Sequence, residues 1–524
     1  MGSQFGCWIA RLVLKGAVEN GNVKRPFKRK PAVIRPPRLW EALVPVVFMI
    51  FLLGMSVVNV REIPEMPVLT PILEFLSRLP ILGSLIEAGL SPHIPLIFGT
   101  VLSGLLSLRL GYTWDEMQRG ITDGIVVALP ACLILLVIGM LIATWIASGI
   151  VPTMIYFGLK MISPGVFLPA TCIICALVSV STGSSWSTAG TVGIALIGVG
   201  QGLGFSLPLV AGAIISGAYF GDKMSPLSDT TNLAPGVAGT DVFSHVRHMI
   251  FTTGPSLLIA LVLYTFIGLH RETSQMSSLE GIDTILTTLE ANYLLSAWLL
   301  LPPLLVIAMV IFRVPALPAL LLGAVIGGIV ALIAQGASLA TVMDAAQNGI
   351  VSDTGIAAVD ELLGRGGMES MLSTVALIIC ALAFGGLMER TGMLSVIAGA
   401  ILKAVHSTGS LVAATLATSI GMNFIAPDQY LSVVVPGRMY REAFHRRNLH
   451  PKNLSRCLED GGTLTSPLIP WNTCGAYMWA TLGVFPFAYL PFAFLNLINP
   501  IISVIYGYTG ITMTKLDDES KGDR

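Results

Sequence analysis

The chain reads Gly221-Asp-Lys-Met-Ser-Pro-Leu-Ser-Asp-Thr-Thr-Asn-Leu-Ala-Pro235 between two strongly apolar runs. Glycine, proline and side chains that hydrogen-bond to their own backbone are concentrated in this stretch, and they favour the interruption of a helix. Unwound backbone survives at membrane depth only where it is buried in protein or lines a polar cavity. We therefore interpret residues 221–235 as the break of a transmembrane helix.

The composition of the whole chain is that of a membrane protein. Of its 524 residues, 54% are apolar and only 11% are charged, whereas about 25% are charged in an ordinary soluble domain. Apolar runs such as Met249–His270 and Ala316–Gln335 are long enough to cross a bilayer core as helices. Barrel strands would alternate, and these runs are continuous. The pattern predicts an all-α polytopic bundle of about 11–13 transmembrane segments, counting shorter and Gly/Pro-broken runs.

Three short motifs occur twice, in the same order and at nearly constant spacing. Ser148-Gly149, Ser181-Thr-Gly183 and Ser225-Pro-Leu227 are followed by Thr391-Gly392, Ser419-Ile-Gly421 and Ser466-Pro-Leu468. The collinear matches predict two related halves. Where a loop of one half is positively charged, the equivalent loop of the other half is not. The positive-inside rule requires this exchange in an inverted repeat. Lys160 and Lys403 do not follow this exchange.

These observations predict a division of the chain into six parts. Residues 1–38 hold nine basic residues and one acidic residue, which predicts a cytoplasmic tail before the first span. The other parts are N-terminal spans outside the repeat (39–91), inverted repeat 1 (92–270), a connecting segment with a span (271–314), inverted repeat 2 (315–508) and a polar C-terminal tail (509–524). We expect a multi-pass protein of the cell inner membrane with a cytoplasmic N-terminus.

Polar stretches interrupt the apolar runs at four places, and the repeat pairs them. Residues 181–190 pair with 419–429, and residues 221–235 pair with 459–475. Paired interruptions in two halves are a sequence signature of a transporter's binding site. The predicted ion- or substrate-binding residues are Asp222, Asp229, Ser225, Thr231, Asn232, Ser184, Ser185, Asn423, Asp428, Thr463, Ser466 and Asn472.

The chemistry of these residues suits an exchanged cation. Carboxylates, hydroxyls and free carbonyls are hard oxygen ligands for sodium, whereas helix N-termini suit a carboxylate. A carboxyl group in a dry pocket retains a proton, and an arriving cation favours its ionised form. Asp222 and Asp229 are therefore the predicted sodium ligands, and Lys223 is a candidate counter-charge for Asp222. Asp460 lies close to a basic loop and is expected to be solvated. The alternative for residues 221–226 is a plain loop in which Asp222 caps a helix.

At these motifs the sequence resembles the NhaC-type sodium/proton antiporters, a family that includes sodium-linked malate/lactate exchangers. The matching stretches are Thr144–Gly149, Ser181–Trp186, Gly217–Pro235, Pro427–Tyr430, Glu459–Thr463 and Ser466–Thr473. The resemblance extends over residues 40–508 and implies an inverted-repeat fold. It also implies that the site is lined jointly by residues of the second half and by Asp222, Ser225, Asp229, Thr231 and Asn232.

The leading hypothesis is a secondary active transporter that exchanges sodium ions for protons. The alternative is a sodium- or proton-coupled exchanger of small carboxylates, such as malate and lactate, or of amino acids, with the anion near Ser225 and Ser466. An ion channel is disfavoured, because paired carboxylates in broken helices bind too specifically for fast conduction.

The sequence also sets expectations for chemistry and partners. It contains no HExxH, no GxSxG and no Cys/His spacing typical of zinc. We therefore expect no enzyme activity and no cofactor, because sodium and protons are transported. The expected partners are the lipid bilayer, sodium ions and protons, with a small organic anion in the alternative. No nucleic acid is expected, and a homodimer is left open.

Overall fold

The computed structural model describes residues 34–58, 91–161, 163–270, 279–312, 314–403 and 405–516. Most of these residues are helical, and the only β pairing among them is a single bridge between Leu449 and Lys515. The all-α prediction is confirmed. The predictions for the basic tail fall largely on residues 1–33, which lie outside the described residues, as do residues 59–90.

The helices before residue 270 include one that continues through a π-helical turn. They are α1 (Leu39–Val58), α2 (His93–Leu110), α3 (Trp114–Ala147), α4 (Ile150–Met161), α5 (Pro164–Thr182), α6 (Ser185–Thr188, the π turn Ala189–Gly193, and Ile194–Gly202), α7 (Leu207–Met224), α8 (Asp229–Ala238) and α9 (Val242–Leu269).

The helices after residue 278 include a second π-helical turn and several short 3-10 segments. They are α10 (Leu279–Asn292), α11 (Leu301–Ile311), α12 (Ala316–Ala334), α13 (Leu339–Asn348), α14 (Ala357–Leu363), α15 (Leu372–Arg390), α16 (Met393–Leu402), α17 (Thr408–Ile425), α18 (Gln429–Arg446), α19 (Pro451–Leu458, followed by the π turn Glu459–Thr463), α20 (Thr473–Leu482), α21 (Pro486–Tyr489) and α22 (Phe494–Thr509).

The order of elements from α3 to α9 recurs from α15 to α22. In both series a long helix ends at a glycine with positive φ, Gly149 (φ 78°) and Gly392 (φ 73°). A short helix, a helix that stops at a break, and two further helices then follow, and the last of these leads into a second break. The short helix after that break ends at Gly239 or Gly483, again with positive φ. The inverted orientation of the halves and their exact boundaries stay predictions.

Seven helices among the described residues are long and apolar enough to cross a membrane. The number is up to nine if each of two bent helix pairs counts as one span. The protein is therefore a multi-pass membrane protein. The sequence-based count of about 11–13 transmembrane segments includes shorter and broken runs. The segments beyond these seven to nine helices stay predictions.

Helix α9 shows how the bundle is organised. Its exposed positions carry large apolar side chains at four-residue intervals, Leu258, Val262 and Phe266, whose exposed fractions are 65%, 59% and 58%. Thr252 and Ser256 on the same helix are fully buried. A helix with an apolar outer stripe and polar inner groups is typical of a span that faces lipid outside and a polar interior inside.

Candidate functional site

Three helix breaks meet at one cavity of about 710 Å³, and the helix that follows a fourth break begins there. Break 1 is residues 183–184, break 2 is 225–228, break 3 is 426–428 and break 4 is 464–472. Breaks 1 to 3 place residues directly in the cavity wall, and break 4 leads into the first residues of α20, which also line it. The polar wall residues are Thr182, Ser184, Ser187, Asp222, Ser228, Asp229, Thr230, Asn232, Asp428, Gln429, Tyr430, Thr473 and Cys474.

Four helices, α6, α8, α18 and α20, begin at this cavity. Side chains cap three of them: Ser184 accepts from the Ser187 amide at 3.1 Å, Asp428 from the Tyr430 amide at 2.9 Å, and Asn472 from the Cys474 amide at 3.0 Å. A helix N-terminus carries partial positive charge and free amide groups. The cavity is thus ringed by positive helix ends, with carboxylates placed among them.

Breaks 1 and 2 touch each other at Gly183. This residue has φ +70°, in the left-handed region, and a Cβ built on it would lie 2.8 Å from the carbonyl carbon of Leu227. Only glycine satisfies both requirements without displacing a neighbour. The close approach brings the hydroxyls at the start of α6 next to the end of α7.

Asp222 is held by one hydroxyl from the start of α6, directly after break 1, and one from break 2. It lies in the last turn of α7, its exposed fraction is 7%, and it lines the cavity. Ser185 and Ser228 each donate a hydrogen bond of 2.6 Å, to Oδ2 and Oδ1 respectively. Hydrogen bonds to an ionised carboxylate are among the stronger ones in proteins. The predicted sodium ligand is therefore fixed in orientation at the cavity wall.

Two further carboxylates share this wall. Asp229 is the first residue of α8 and is exposed to the cavity, and the Tyr430 hydroxyl donates to its Oδ2 at 3.4 Å. Asp428 in break 3 is 4% exposed and accepts from the amides of Tyr430 and Leu431. Carboxylates from both halves of the chain are therefore brought to one cavity.

The remaining predicted residues of the first half have different positions. Ser184 and Asn232 line the cavity, whereas Ser225 and Thr231 are fully buried and do not. Thr231 donates to the Lys223 carbonyl at 2.9 Å, and the Asn232 amide donates to the Pro226 carbonyl at 2.8 Å. These side chains hold the unwound backbone of break 2 in place.

Four predicted residues of the second half do not line the cavity. The Asn423 amide donates to the Gly462 carbonyl at 2.6 Å, and the Asn472 amide donates to Asn423 Oδ1 at 3.1 Å. The Ser466 hydroxyl donates to the Thr463 carbonyl at 2.8 Å. All four residues are buried, and they join α17, the π turn after α19 and break 4. The anion position suggested near Ser225 and Ser466 is therefore outside the cavity wall.

Two expectations about charged residues are wrong. Lys223 is not the counter-charge of Asp222, because its ammonium group pairs with Asp460. Asp460 is not solvated but fully buried, and the Thr252 hydroxyl donates to it at 3.3 Å. The π turn Glu459–Thr463 carries it away from the basic loop and into the bundle.

Sequence reasoning missed several wall residues at the starts of the helices. Ser228 binds Asp222, and Cys474 donates through its Sγ to Gln429 Oε1 at 2.7 Å. Trp186 stacks on Tyr477, with ring centroids 4.0 Å apart. The available signal was positional, because Trp186, Ser228 and Cys474 lie in or next to the first helical turn that follows a break.

A family model described as the Na+/H+ antiporter family matches residues 217–511, which contain breaks 2 to 4. The chain belongs to this family. The resemblance predicted from the sequence is therefore confirmed, and family membership indicates a transporter rather than an enzyme.

Three proteins similar to this chain carry different descriptions. The Na(+)/H(+) antiporter NhaC of Alkalihalophilus pseudofirmus is 40% identical over 436 residues, which are 83% of this chain and 94% of that protein. The malate-2H(+)/Na(+)-lactate antiporter of Bacillus subtilis is 41% identical over 418 residues, 80% of this chain and 89% of that protein. The arginine/ornithine antiporter ArcD of Halobacterium salinarum is 41% identical over 436 residues, which are 82% of this chain and 89% of that protein.

Proposed function

We propose that the protein is a secondary active transporter that exchanges sodium ions for protons across the cell inner membrane, with its N-terminus in the cytoplasm. The observation that carries the proposal is the single cavity whose wall contains Asp222, Asp229 and Asp428. These carboxylates come from helix breaks in both halves of the chain, where transporters of this class place their ion sites. The relatives described as Na(+)/H(+) antiporters support the choice of cargo.

Competition for the same oxygen atoms explains the exchange. Asp222 and Asp229 provide carboxylate ligands for a sodium ion, and a carboxyl oxygen that holds a proton no longer attracts the cation. Ser185 and Ser228 fix Asp222 through hydrogen bonds of 2.6 Å, so that its binding geometry is set before an ion arrives. Exposure of the cavity to the two sides of the membrane in turn then couples the two fluxes, without any cofactor.

A second candidate is the exchange of a small carboxylate or amino acid coupled to the same ions. A cavity of about 710 Å³ is within the usual size of small-molecule sites and is much larger than a sodium ion requires. The four helix N-termini around it favour an anionic group. The relatives described as malate-2H(+)/Na(+)-lactate and arginine/ornithine antiporters support this candidate, since their descriptions name small carboxylates and amino acids.

One experiment separates the two candidates. The purified protein is reconstituted in liposomes with an acidic interior, and an internal pH dye is followed while sodium, lithium, potassium, malate and lactate are added separately. Malate and lactate are then each added together with sodium. Sodium/proton exchange predicts that sodium alone dissipates the gradient, whereas carboxylate exchange predicts a response to sodium only when the organic acid is present. Liposomes without protein are the control, and a response to none of the additions would contradict both candidates.

A further inference from the structure

A second group of buried charges lies behind the cavity wall. Lys223 directly follows Asp222, but it does not line the cavity, and its ammonium group pairs with Asp460. Glu459 precedes Asp460 in the same π turn, and Lys223, Asp460 and Glu459 are all fully buried. The last turn of α7 therefore places one side chain at the cavity and the next one in this buried cluster.

The cluster contains two carboxyl groups and one ammonium group. Lys223 compensates Asp460, to which it is bound, and it also hydrogen-bonds to Asn499 Oδ1 at 3.2 Å. Neither carboxyl oxygen of Glu459 has a hydrogen-bond partner among the described residues. A buried ionised carboxylate without a partner is strongly unfavourable. Glu459 is therefore favoured in a form that holds a proton or binds another cation.

Neutral oxygen atoms also lie buried at this π turn. Thr463 lies one π-helical turn after Glu459, and its fully buried hydroxyl faces the Glu459 carboxyl. The Asn496 amide donates to the Leu464 carbonyl at 2.8 Å, while its own oxygen is unpartnered within the described part of the chain. Single π-helical turns are rare and occur frequently at functional sites.

Few charges face this group. The charged groups that act on Glu459 are Lys223 and Asp222 of α7 and Asp460 of its own turn. Helices α17 and α22, which pack against the π turn, contain no charged residue. Arg456 of α19 donates to Thr512 at 2.8 Å instead. On the other two packed helices, Asp229 of α8 lies at the cavity, and the charged side chains of α18 are exposed.

The Oδ2 atom of Asp460 has no hydrogen-bond partner among the described residues either. We propose that Glu459, Thr463 and this oxygen of Asp460 form a second monovalent cation site, which takes up a proton or a sodium ion during the transport cycle. This inference rests on the proposed function, because the cargo there is a monovalent cation. Asp222 and Lys223 are neighbours in one helical turn, so a shift of this turn when the cavity site changes its ligand also moves the charge that faces Glu459. The two sites are coupled through the end of α7.

The number of cations moved per cycle tests the second site. Glu459→Gln keeps the shape of the side chain and removes its ability to hold a cation. Reconstituted protein is brought to zero net flux at a set pH difference, and the sodium gradient that balances it gives the coupling ratio. The variant is expected to move one proton fewer per cycle, or to lose one bound sodium ion and show a lower Hill coefficient for sodium.

The exposed carboxyl group of Glu369, which lies outside the cavity wall, provides the matched control. Glu369→Gln is expected to keep both the coupling ratio and the Hill coefficient of the wild type. A Glu459→Gln protein in which both quantities are also unchanged would overturn the second site and leave the proposed function intact. Failure of the wild-type protein to exchange sodium for protons would instead overturn the proposed function.

The wild-type protein supplies the test if Glu459→Gln does not fold. Dicyclohexylcarbodiimide adds to protonated carboxyl groups in apolar surroundings, and the resulting acylurea is located by mass spectrometry of peptides. Labelling of Glu459 is expected in acidic, sodium-free buffer, and it should decrease when sodium is added or the pH is raised. A Glu459 that stays unlabelled, or whose labelling does not respond to sodium or pH, contradicts the proposal.

Discussion

Lys223 of α7 and Asp460 of the π turn after α19 form an ion pair in which both side chains are fully buried. The pair joins the two halves of the chain directly behind the cavity wall. Asn499 accepts from the ammonium group at 3.2 Å, and Thr252 donates to the carboxylate at 3.3 Å. Loss of one partner leaves an uncompensated charge in the interior, whereas loss of both partners does not.

Lys223→Met should therefore destabilise the protein strongly, by about 3–5 kcal/mol. The double variant Lys223→Met/Asp460→Leu should recover most of this loss, because it removes both charges and restores apolar volume. Thermal unfolding of the purified protein in detergent measures the effect. The exposed pair Arg446–Glu442 is the control, and Arg446→Met should cost about 0–1 kcal/mol. Equal stability of Lys223→Met and Arg446→Met would show that the buried ion pair contributes no more to the stability of the protein than the exposed pair does.

The cavity carboxylates are expected to be essential for exchange. Asp222→Asn and Asp229→Asn each keep the size of the side chain and remove the charge that binds a cation. Both should abolish sodium-driven proton movement in liposomes while the protein remains folded, as judged by its elution from a sizing column. Full exchange by either variant would remove that residue from the mechanism.

Asp241 is a suitable control for these two variants. It is exposed, lies outside the cavity wall and caps α9 by accepting from the Ser244 amide at 2.9 Å. Asparagine caps helices as well as aspartate does. Asp241→Asn should therefore transport sodium and protons at the wild-type rate.

The polar interruptions of the apolar runs predicted the architecture of the site well. Glycine, proline and capping side chains are local signals, and they are sufficient to locate helix breaks such as the one at Asp428. The repeat then indicated which breaks belong together. Five of the twelve predicted residues line the cavity, Ser184, Asp222, Asp229, Asn232 and Asp428, and Ser185 binds one of them.

The partners of individual side chains were not predictable in the same way. Lys223 and Asp222 are neighbours in sequence, but consecutive residues of a helix point in different directions. The pairing of Lys223 with Asp460 joins positions 237 residues apart, and no local pattern encodes it. The burial of Asp460 depends on a π turn, and the sequence Glu-Asp-Gly-Gly-Thr does not predict such a turn.

Ser185 is expected to affect sodium affinity more than turnover. Ser185→Ala removes one of the two hydroxyls that orient Asp222 and leaves the carboxylate itself in place. A hydrogen bond to a charged group contributes about 1.5–3 kcal/mol, so the sodium concentration for half-maximal exchange should rise by roughly tenfold or more. Ser181→Ala is the control, because the exposed Ser181 hydroxyl bonds to the Leu177 carbonyl of its own helix and lies outside the cavity wall. An unchanged sodium dependence in Ser185→Ala would show that Asp222 does not need this orientation.

The contact between breaks 1 and 2 predicts a specific effect of adding a methyl group at Gly183. Gly183→Ala would impose a left-handed backbone conformation on alanine, which costs about 1–3 kcal/mol. It would also push a Cβ to within 2.8 Å of the Leu227 backbone and displace the break that carries Ser228. We expect loss of exchange together with lower thermal stability. Gly392→Ala separates the two causes, because Gly392 has almost the same φ, +73°, but a Cβ there would meet no atom within 4 Å. That variant should lose some stability and retain exchange; equal effects on exchange in both variants would show that backbone strain, rather than the contact of the two breaks, controls transport.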